Sequence, residues 1–286
     1  MKLQTDSPTY VVIYTALVSA AFTAAIMVLN AAARPAVEKN EKLFTQKALV
    51  DILFEDPQTE NLPAAPEEMT EDQIVETYSS RIYETAIPGP EGAGPIQLYV
   101  AYSEDLKKTD GQVTAVPGPD KIVGYAIRVN GVGFWEPISG YLALSADLTT
   151  SRGIVFVKQG ETPGLGAKIT EQPFRSQWAP DRELKLGPGQ TDQFVYIDQN
   201  DPTSPEAPAY GRHVDAITGA TQTSIAVEKF VNKDLSAFYA AAKDAQLVEK
   251  GPPAPRAGAD VDEELNPTPP AGMYDADPTE DPILDE

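Results

Sequence analysis

A chain of 286 residues with a formal net charge of −21, no cysteine and a single histidine, His213, excludes several functions at once. Without thiols there are no disulfides, zinc–thiolate sites, cysteine-ligated iron–sulfur clusters or cysteine nucleophiles, and one imidazole leaves little room for a His-based metal site or triad. The acidity disfavours nucleic acid as a partner, because binding there depends on neutralising phosphates with Lys and Arg.

The first element in chain order is apolar. Residues 1–9 precede Tyr10–Ala33, YVVIYTALVSAAFTAAIMVLNAAA, 24 residues without a charge. At about 1.5 Å per residue this run is long enough to cross a hydrocarbon core of roughly 30 Å. Ala31 and Ala33 also form an A-x-A site, so a cleaved signal peptide is the rival reading. Signal h-regions run only about 7–15 residues, which favours a retained single-pass anchor. Lys2 lies before the span, whereas Arg34, Lys39, Lys42 and Lys47 follow it, a bias that by itself puts the C-terminal side in the cytoplasm.

Residues 34–79 read as a connector. A helix continues from Arg34 to Phe54, a Pro- and Glu-rich linker covers 55–70, and a short helix is expected around 71–79. A core domain is expected over 80–247. Segments 97–102, 122–129, 140–147 and 153–158 have strand character, with turn-forming residues between them that predict a largely antiparallel sheet. In 223–243, Val227, Val231, Leu235, Phe238 and Ala242 recur at steps of three and four, one helical stripe that should pack on the sheet. The fold class expected is therefore α+β, with one transmembrane helix and a disordered acidic C-terminal tail. That tail, 248–286, holds eleven Asp and Glu against Lys250 and Arg256, too little apolar surface to offset its ordering entropy.

Residues 215–224, DAITGATQTS, concentrate four hydroxyls, at Thr218, Thr221, Thr223 and Ser224, around Gly219 before the long helix. Thr218, Thr221 or Thr223 can serve as an N-cap. Alternatively, Gly219 brings backbone close to a ligand phosphate that the helix N-terminus receives. The two readings are compatible.

The motif D215-A-I-T218-G219-A220-T221-Q-T223 closely resembles the D-x-x-[ST]-G-A-[ST]-x-T signature of the FMN-binding domain family, in which the flavin phosphate is esterified to the last threonine. A second motif, E161-T-P-G-L-G166, resembles the loop that follows a strand in the same family. G133-F-W135 and F174-R-S-Q-W178 extend the resemblance to the flavin-carrying C subunits of the sodium-translocating NADH:quinone oxidoreductases, over roughly residues 8–245, strong at the motifs and thin in residues 40–95.

The resemblance implies FMN bound covalently through its phosphate to Thr223. It implies Gly219, Ala220 and Thr221 as the phosphate-approaching turn, Thr218 keeping the hydroxyl before the glycine, and Asp215 orienting the turn or the modifying enzyme's metal-bound substrate. Thr162, Gly164, Leu165 and Gly166 are expected against the isoalloxazine ring, with Glu161 fixing their loop. Trp135 either stacks on the flavin or fills the core. No catalytic residue and no metal site is expected in the chain; His213 reads as a partly exposed loop histidine, and the carboxylates of the tail as solvated.

The implied function is an electron-relay subunit of a membrane NADH:quinone oxidoreductase that moves sodium. Its implied partners are the other subunits, the lipid bilayer and a flavin transferase that uses FAD and magnesium. The chain has no G-x-G-x-x-G fingerprint, so NADH is handled elsewhere, and its span has no ionisable residue, so the ion path lies elsewhere too. The family topology puts the flavin domain on the outer, periplasmic face of the bacterial inner membrane, against the local Lys and Arg count. Rival readings are the G subunit of an Rnf-type ferredoxin:NAD complex and a membrane-anchored FMN-binding sensor without redox turnover.

Overall fold

In the computed structural model, residues 8–60, 62–90, 94–189, 193–199, 202, 204 and 206–255 are described. Helix α1 (Pro8–Leu53) opens the chain. Its residues up to Gln46 form a unit of their own, in which an 18-residue window has a mean hydropathy of 2.2, long and apolar enough to cross a membrane. Val12, Leu17, Phe22, Met27 and Leu29 are exposed in this unit. Pro35 lies inside the helix, where it removes one amide donor from the ladder.

The second unit starts at Lys47. Its centre is a five-stranded sheet in the order β1 (Ile82–Ile87), β2 (Ile96–Tyr102), β5 (Ile122–Val132), β6 (Pro137–Ser145) and β7 (Ser151–Lys158). Every neighbouring pair is antiparallel. The short strands β3 (Lys107–Thr109) and β4 (Gln112–Ala115) pair separately. β8 (Tyr196–Asp198) and β9 (His213–Asp215) pair in parallel.

Both faces of the sheet are covered, which explains why its strands read as apolar runs rather than clean alternations. Leu98, Val100, Ile127, Val129, Leu142 and Phe156 turn to one face, where helix α4 (Thr221–Asp244) packs through the expected stripe of Val227, Val231, Leu235 and Phe238. Tyr99, Ala101, Ala126, Tyr141, Ala143 and Val155 turn to the other. That face is covered by Leu49, Ile52 and Leu53 at the end of α1, by Phe54 just after it, and by Ile74 and Tyr78 of α2 (Glu71–Arg81). The core therefore extends well before Ser80, where the sequence pattern suggested it begins. Two arginines tie the layers together. Arg152 donates to the Leu53 carbonyl at 3.1 Å and to Glu60 Oε1 at 2.6 Å; Arg175 donates to Asp51 Oδ2 at 2.6 Å and to the Ile154 carbonyl at 3.2 Å.

α2 begins with a capping box in which the Gln73 amide reaches Thr70 Oγ1 at 3.3 Å and the Thr70 amide reaches Gln73 Oε1 at 2.9 Å. A short helix α3 (Gln172–Arg175) brings Phe174 into the main core. After α4, a short helix α5 (Leu247–Lys250) buries Leu247, whose carbonyl accepts the Tyr125 hydroxyl at 3.4 Å. The expected tail thus begins as ordered chain through residue 255, and 256–286 lies outside the described residues.

Candidate functional site

Two loops and a hairpin tip meet at the N-terminus of α4. The hairpin between β5 and β6 turns through Gly133–Glu136, closed by the Gly133 amide on the Glu136 carbonyl at 2.9 Å. β7 runs out into Glu161–Gly166, where Gly164 takes φ +75° and the Thr162 carbonyl accepts the amides of Leu165 at 3.1 Å and Ala167 at 3.2 Å. The third piece, residues 215–220, leaves β9 and enters α4 through Gly219 at φ +82°. Positive φ is a conformation that glycine adopts without steric cost, so both loop motifs use a glycine where the backbone turns hardest.

Thr223 and Glu161 join the motifs. The Thr223 hydroxyl donates to Glu161 Oε2 at 2.7 Å, and the Trp135 amide donates to Glu161 Oε1 at 3.0 Å. The Glu161 amide is held in turn by Gln159 Oε1 at 2.7 Å. Thr223 is 3% exposed and Glu161 4% exposed. Burial pushes the Glu161 carboxyl up, but hydrogen bonds from Thr223 and from the amides of Trp135, Glu136 and Phe134 outweigh it and hold it below the usual carboxylate range. Gly166 lies where a Cβ would come 2.5 Å from Thr223 Oγ1 and 2.7 Å from Glu161 Oε2. A Cβ on Gly219 would come 3.4 Å from Leu165 Cδ2, which brings the two motif loops into contact distance.

The dense hydroxyls divide into separate tasks. α4 starts at Thr221, and its N-cap is Ala220, which offers no side-chain cap. None of the expected threonine caps is used, so the amides of the first turn keep their capacity for an acceptor. Ser224 instead stitches the entry turn, accepting the Ile217 amide at 3.0 Å and donating to the Ala220 carbonyl at 3.2 Å. Thr218 and Thr221 face solvent, as do Thr162 and Gly164.

Trp135 is surface, not core. It is 66% exposed and meets Phe134, 54% exposed, edge to face at 4.8 Å between ring centres. With Leu165, 45% exposed on the Glu161 loop, these side chains of the hairpin tip give the site exposed apolar surface. Asp215 stands apart from them. Its side chain is exposed, its amide donates to Gln177 Oε1 at 2.6 Å, and its Oδ1 lies 4.0 Å from His213 Nδ1. His213 belongs to β9 rather than to a loop, with Nε2 3.2 Å from Asp198 Oδ1. Sequence reasoning assigned nothing to Gln159 or to Gln177; the latter lies inside FRSQW, whose Trp178 is fully buried. A separate cleft of about 260 Å³, lined by Thr149, Lys185 and Arg212 among others, includes none of the motif residues.

Residues 133–236, which span the hairpin tip, both loops and most of α4, match the FMN-binding domain family. The chain is similar to the C subunit of the Na(+)-translocating NADH-quinone reductase of Pseudomonas aeruginosa, 30% identical over 51% of this chain and 52% of the relative, so that the match spans about half of that relative's length. It is also similar to the C subunit of the same enzyme from Vibrio parahaemolyticus, 26% identical over 66% of this chain and 76% of the relative. Its fold is shared with the crystal structure of Shewanella oneidensis NqrC, with a TM-score of 0.50 and 15% identity, covering 73% of this chain and 99% of that one.

Proposed function

We propose that this chain, whose residues 133–236 match the FMN-binding domain family, is a membrane-anchored electron-relay subunit of a sodium-translocating NADH:quinone oxidoreductase, with FMN esterified through its phosphate to Thr223. The observation that carries the reading is the convergence of the two motifs on one hydroxyl. Thr223 sits in the first turn of a helix with no side-chain cap, and the second loop reaches it through Glu161.

The residues fit the group. A phosphodiester on Thr223 keeps one negative charge at the helix N-terminus, where amides and dipole favour it by about 0.3–1 kcal/mol. Gly219, Ala220 and Thr221 form the turn beside that phosphate, and Thr218 adds a hydroxyl. The exposed rim of Leu165, Phe134 and Trp135 offers apolar and aromatic surface to the isoalloxazine ring, with Thr162, Gly164 and Gly166 as the loop that bounds it. FMN supplies the capacity to accept and pass single electrons. The chain's own part is to tether the phosphate and to shield one side of the ring. The exposed carboxylate of Asp215 is available to the transferase that installs the flavin.

The α1 helix supplies the lipid anchor, and the flavin domain lies on the periplasmic side of the inner membrane. The partners are the remaining subunits, which oxidise NADH, reduce quinone and carry the ion path.

Intact mass after co-expression with a flavin transferase tests the attachment. The natural chain should gain FMN and glow under ultraviolet light on a denaturing gel, and Thr223→Val should do neither. A colourless natural chain refutes the reading.

A further inference from the structure

The Glu161 carboxylate is held on one side by fixed backbone donors and on the other by a single mobile proton. The amides of the hairpin tip at Phe134, Trp135 and Glu136 keep it ionised, with Trp135 at 3.0 Å on Oε1. Oε2 accepts the Thr223 hydroxyl at 2.7 Å in a buried contact. Nothing about capping α4 requires this arrangement, since Ala220 is the N-cap. The contact points the hydroxyl proton toward Glu161 and leaves the lone pairs of Oγ1 with no hydrogen bond of their own among the described residues. Gly166 keeps the approach narrow, because a side chain there would collide with both oxygens.

We infer that Glu161 is a catalytic residue of flavin attachment: it orients the Thr223 hydroxyl and takes its proton as the phosphate ester forms. This rests on the reading of Thr223 as the attachment residue. The co-reactant is a flavin adenine dinucleotide delivered by the transferase. Thr223 Oγ1 forms a bond to the flavin-side phosphorus, and the bond from that phosphorus to the bridging oxygen breaks. AMP leaves with the bridging oxygen and its electron pair, and the hydroxyl proton passes to Glu161 Oε2 and then to solvent. Nothing is oxidised or reduced. A carboxylate held below the usual range is ionised at neutral pH and so is always ready as an acceptor, while the hydroxyl becomes acidic only as its oxygen bonds to phosphorus.

The same geometry gives the contact a single use. Once Thr223 is esterified it has no proton to donate, and an anionic phosphodiester then faces an anionic carboxylate. The hydrogen bond between Glu161 and Thr223 therefore belongs to the flavin-free chain and opens on attachment.

The test is the rate of flavin gain, followed by intact mass, for the full-length natural chain, Glu161→Gln and Glu161→Asp with one transferase and FAD across a pH series. In Glu161→Gln the carboxamide oxygen can still accept the hairpin amides, which turns its NH2 toward Thr223 Oγ1 and occupies the attacking lone pair. The expected loss is about 10²–10⁴-fold at neutral pH, narrowing as pH rises and solvent hydroxide replaces the carboxylate. Glu161→Asp, whose carboxylate is drawn back by one methylene, should be slower than the natural chain by at least about tenfold yet keep its pH profile. Thermal midpoints of the flavin-free variants are measured alongside. A natural chain that gains no flavin overturns both the attachment reading and this one. A natural chain that gains flavin while Glu161→Gln matches it, or lags by a pH-independent factor that follows lost thermal stability, overturns the role of Glu161 alone. If Glu161→Gln fails to fold, the Asp variant decides: flavin gain at the natural rate overturns the role.

Discussion

Gly166 and Thr223, far apart in sequence, approach so closely that a single methyl group on the glycine would sit 2.5 Å from the threonine hydroxyl oxygen. The same methyl would meet Glu161 at Oε2 and Cβ, so no small rotation of one side chain relieves it. Gly166→Ala is expected to push the Glu161 loop away from α4, costing about 1–3 kcal/mol of stability and at least about tenfold in flavin attachment. Thermal melts and intact mass measure the two effects separately.

Trp135 gives the opposite kind of variant. Its side chain is exposed and meets Phe134 edge to face, so Trp135→Ala should leave stability within about 0.5 kcal/mol of the natural chain. If the ring of an attached flavin stacks on this rim, its fluorescence in the matured variant should rise, because an indole in contact quenches it. Fluorescence yield per attached flavin, compared with Trp135→Phe, reads this directly.

Arg152 joins the sheet to the end of α1 and to Glu60, with both partners' side chains largely buried, 15% and 11% exposed. Arg152→Met removes the guanidinium from the Leu53 carbonyl and from the Glu60 carboxylate, which keeps only the Glu55 amide, at 2.6 Å on Oε2. The expected loss is about 3 kcal/mol, measured by denaturant unfolding of the detergent-solubilised chain. Flavin attachment, on the opposite face of the sheet, should survive wherever the protein is folded.

Two carboxylates titrate with opposite sign. Glu161 is held below its ordinary value of 4.5, so its hydrogen bonds stabilise the flavin-free fold fully above that pH and are lost as pH falls through its lower folded value. The stability gap between the natural chain and Glu161→Gln should be constant from neutral pH down to about 4.5 and close below it. Asp234 is raised above 3.8 by burial, only partly offset by the Asn130 amide, which it accepts at 2.8 Å. Ionised Asp234 therefore weakens the fold at neutral pH. Asp234→Asn should raise the thermal midpoint at pH 7, and the gain should vanish as pH falls through the raised folded value and below 3.8. A gain that persists in acid would assign it to packing rather than to charge.

Much of the architecture was legible in local pattern. Period-two and apolar runs marked β2, β5, β6 and β7, and steps of three and four marked α4, because the side chains of these elements repeat with the geometry of their backbones. β1 escaped because it follows Arg81 with no Gly or Pro to separate it from α2. The parallel pair β8 and β9 escaped because strands of three residues are too short to show a period. The second sheet layer was hidden for a different reason: Leu49, Leu53 and Phe54 looked like the last turns of a connector, and only packing reveals that they cover a sheet face.

The sequence by itself determined the apolar first helix, the α+β pattern and the two motifs whose resemblance to a known family implies a flavin phosphate, since these depend on residue types at short spacing. The tertiary structure alone decided that Trp135 is surface, that Ala220 rather than a threonine caps α4, and that the Thr223 hydroxyl donates to Glu161 across 2.7 Å. Their meeting depends on where β7 and β9 end in space, a matter of sheet order and helix packing that no local spacing encodes.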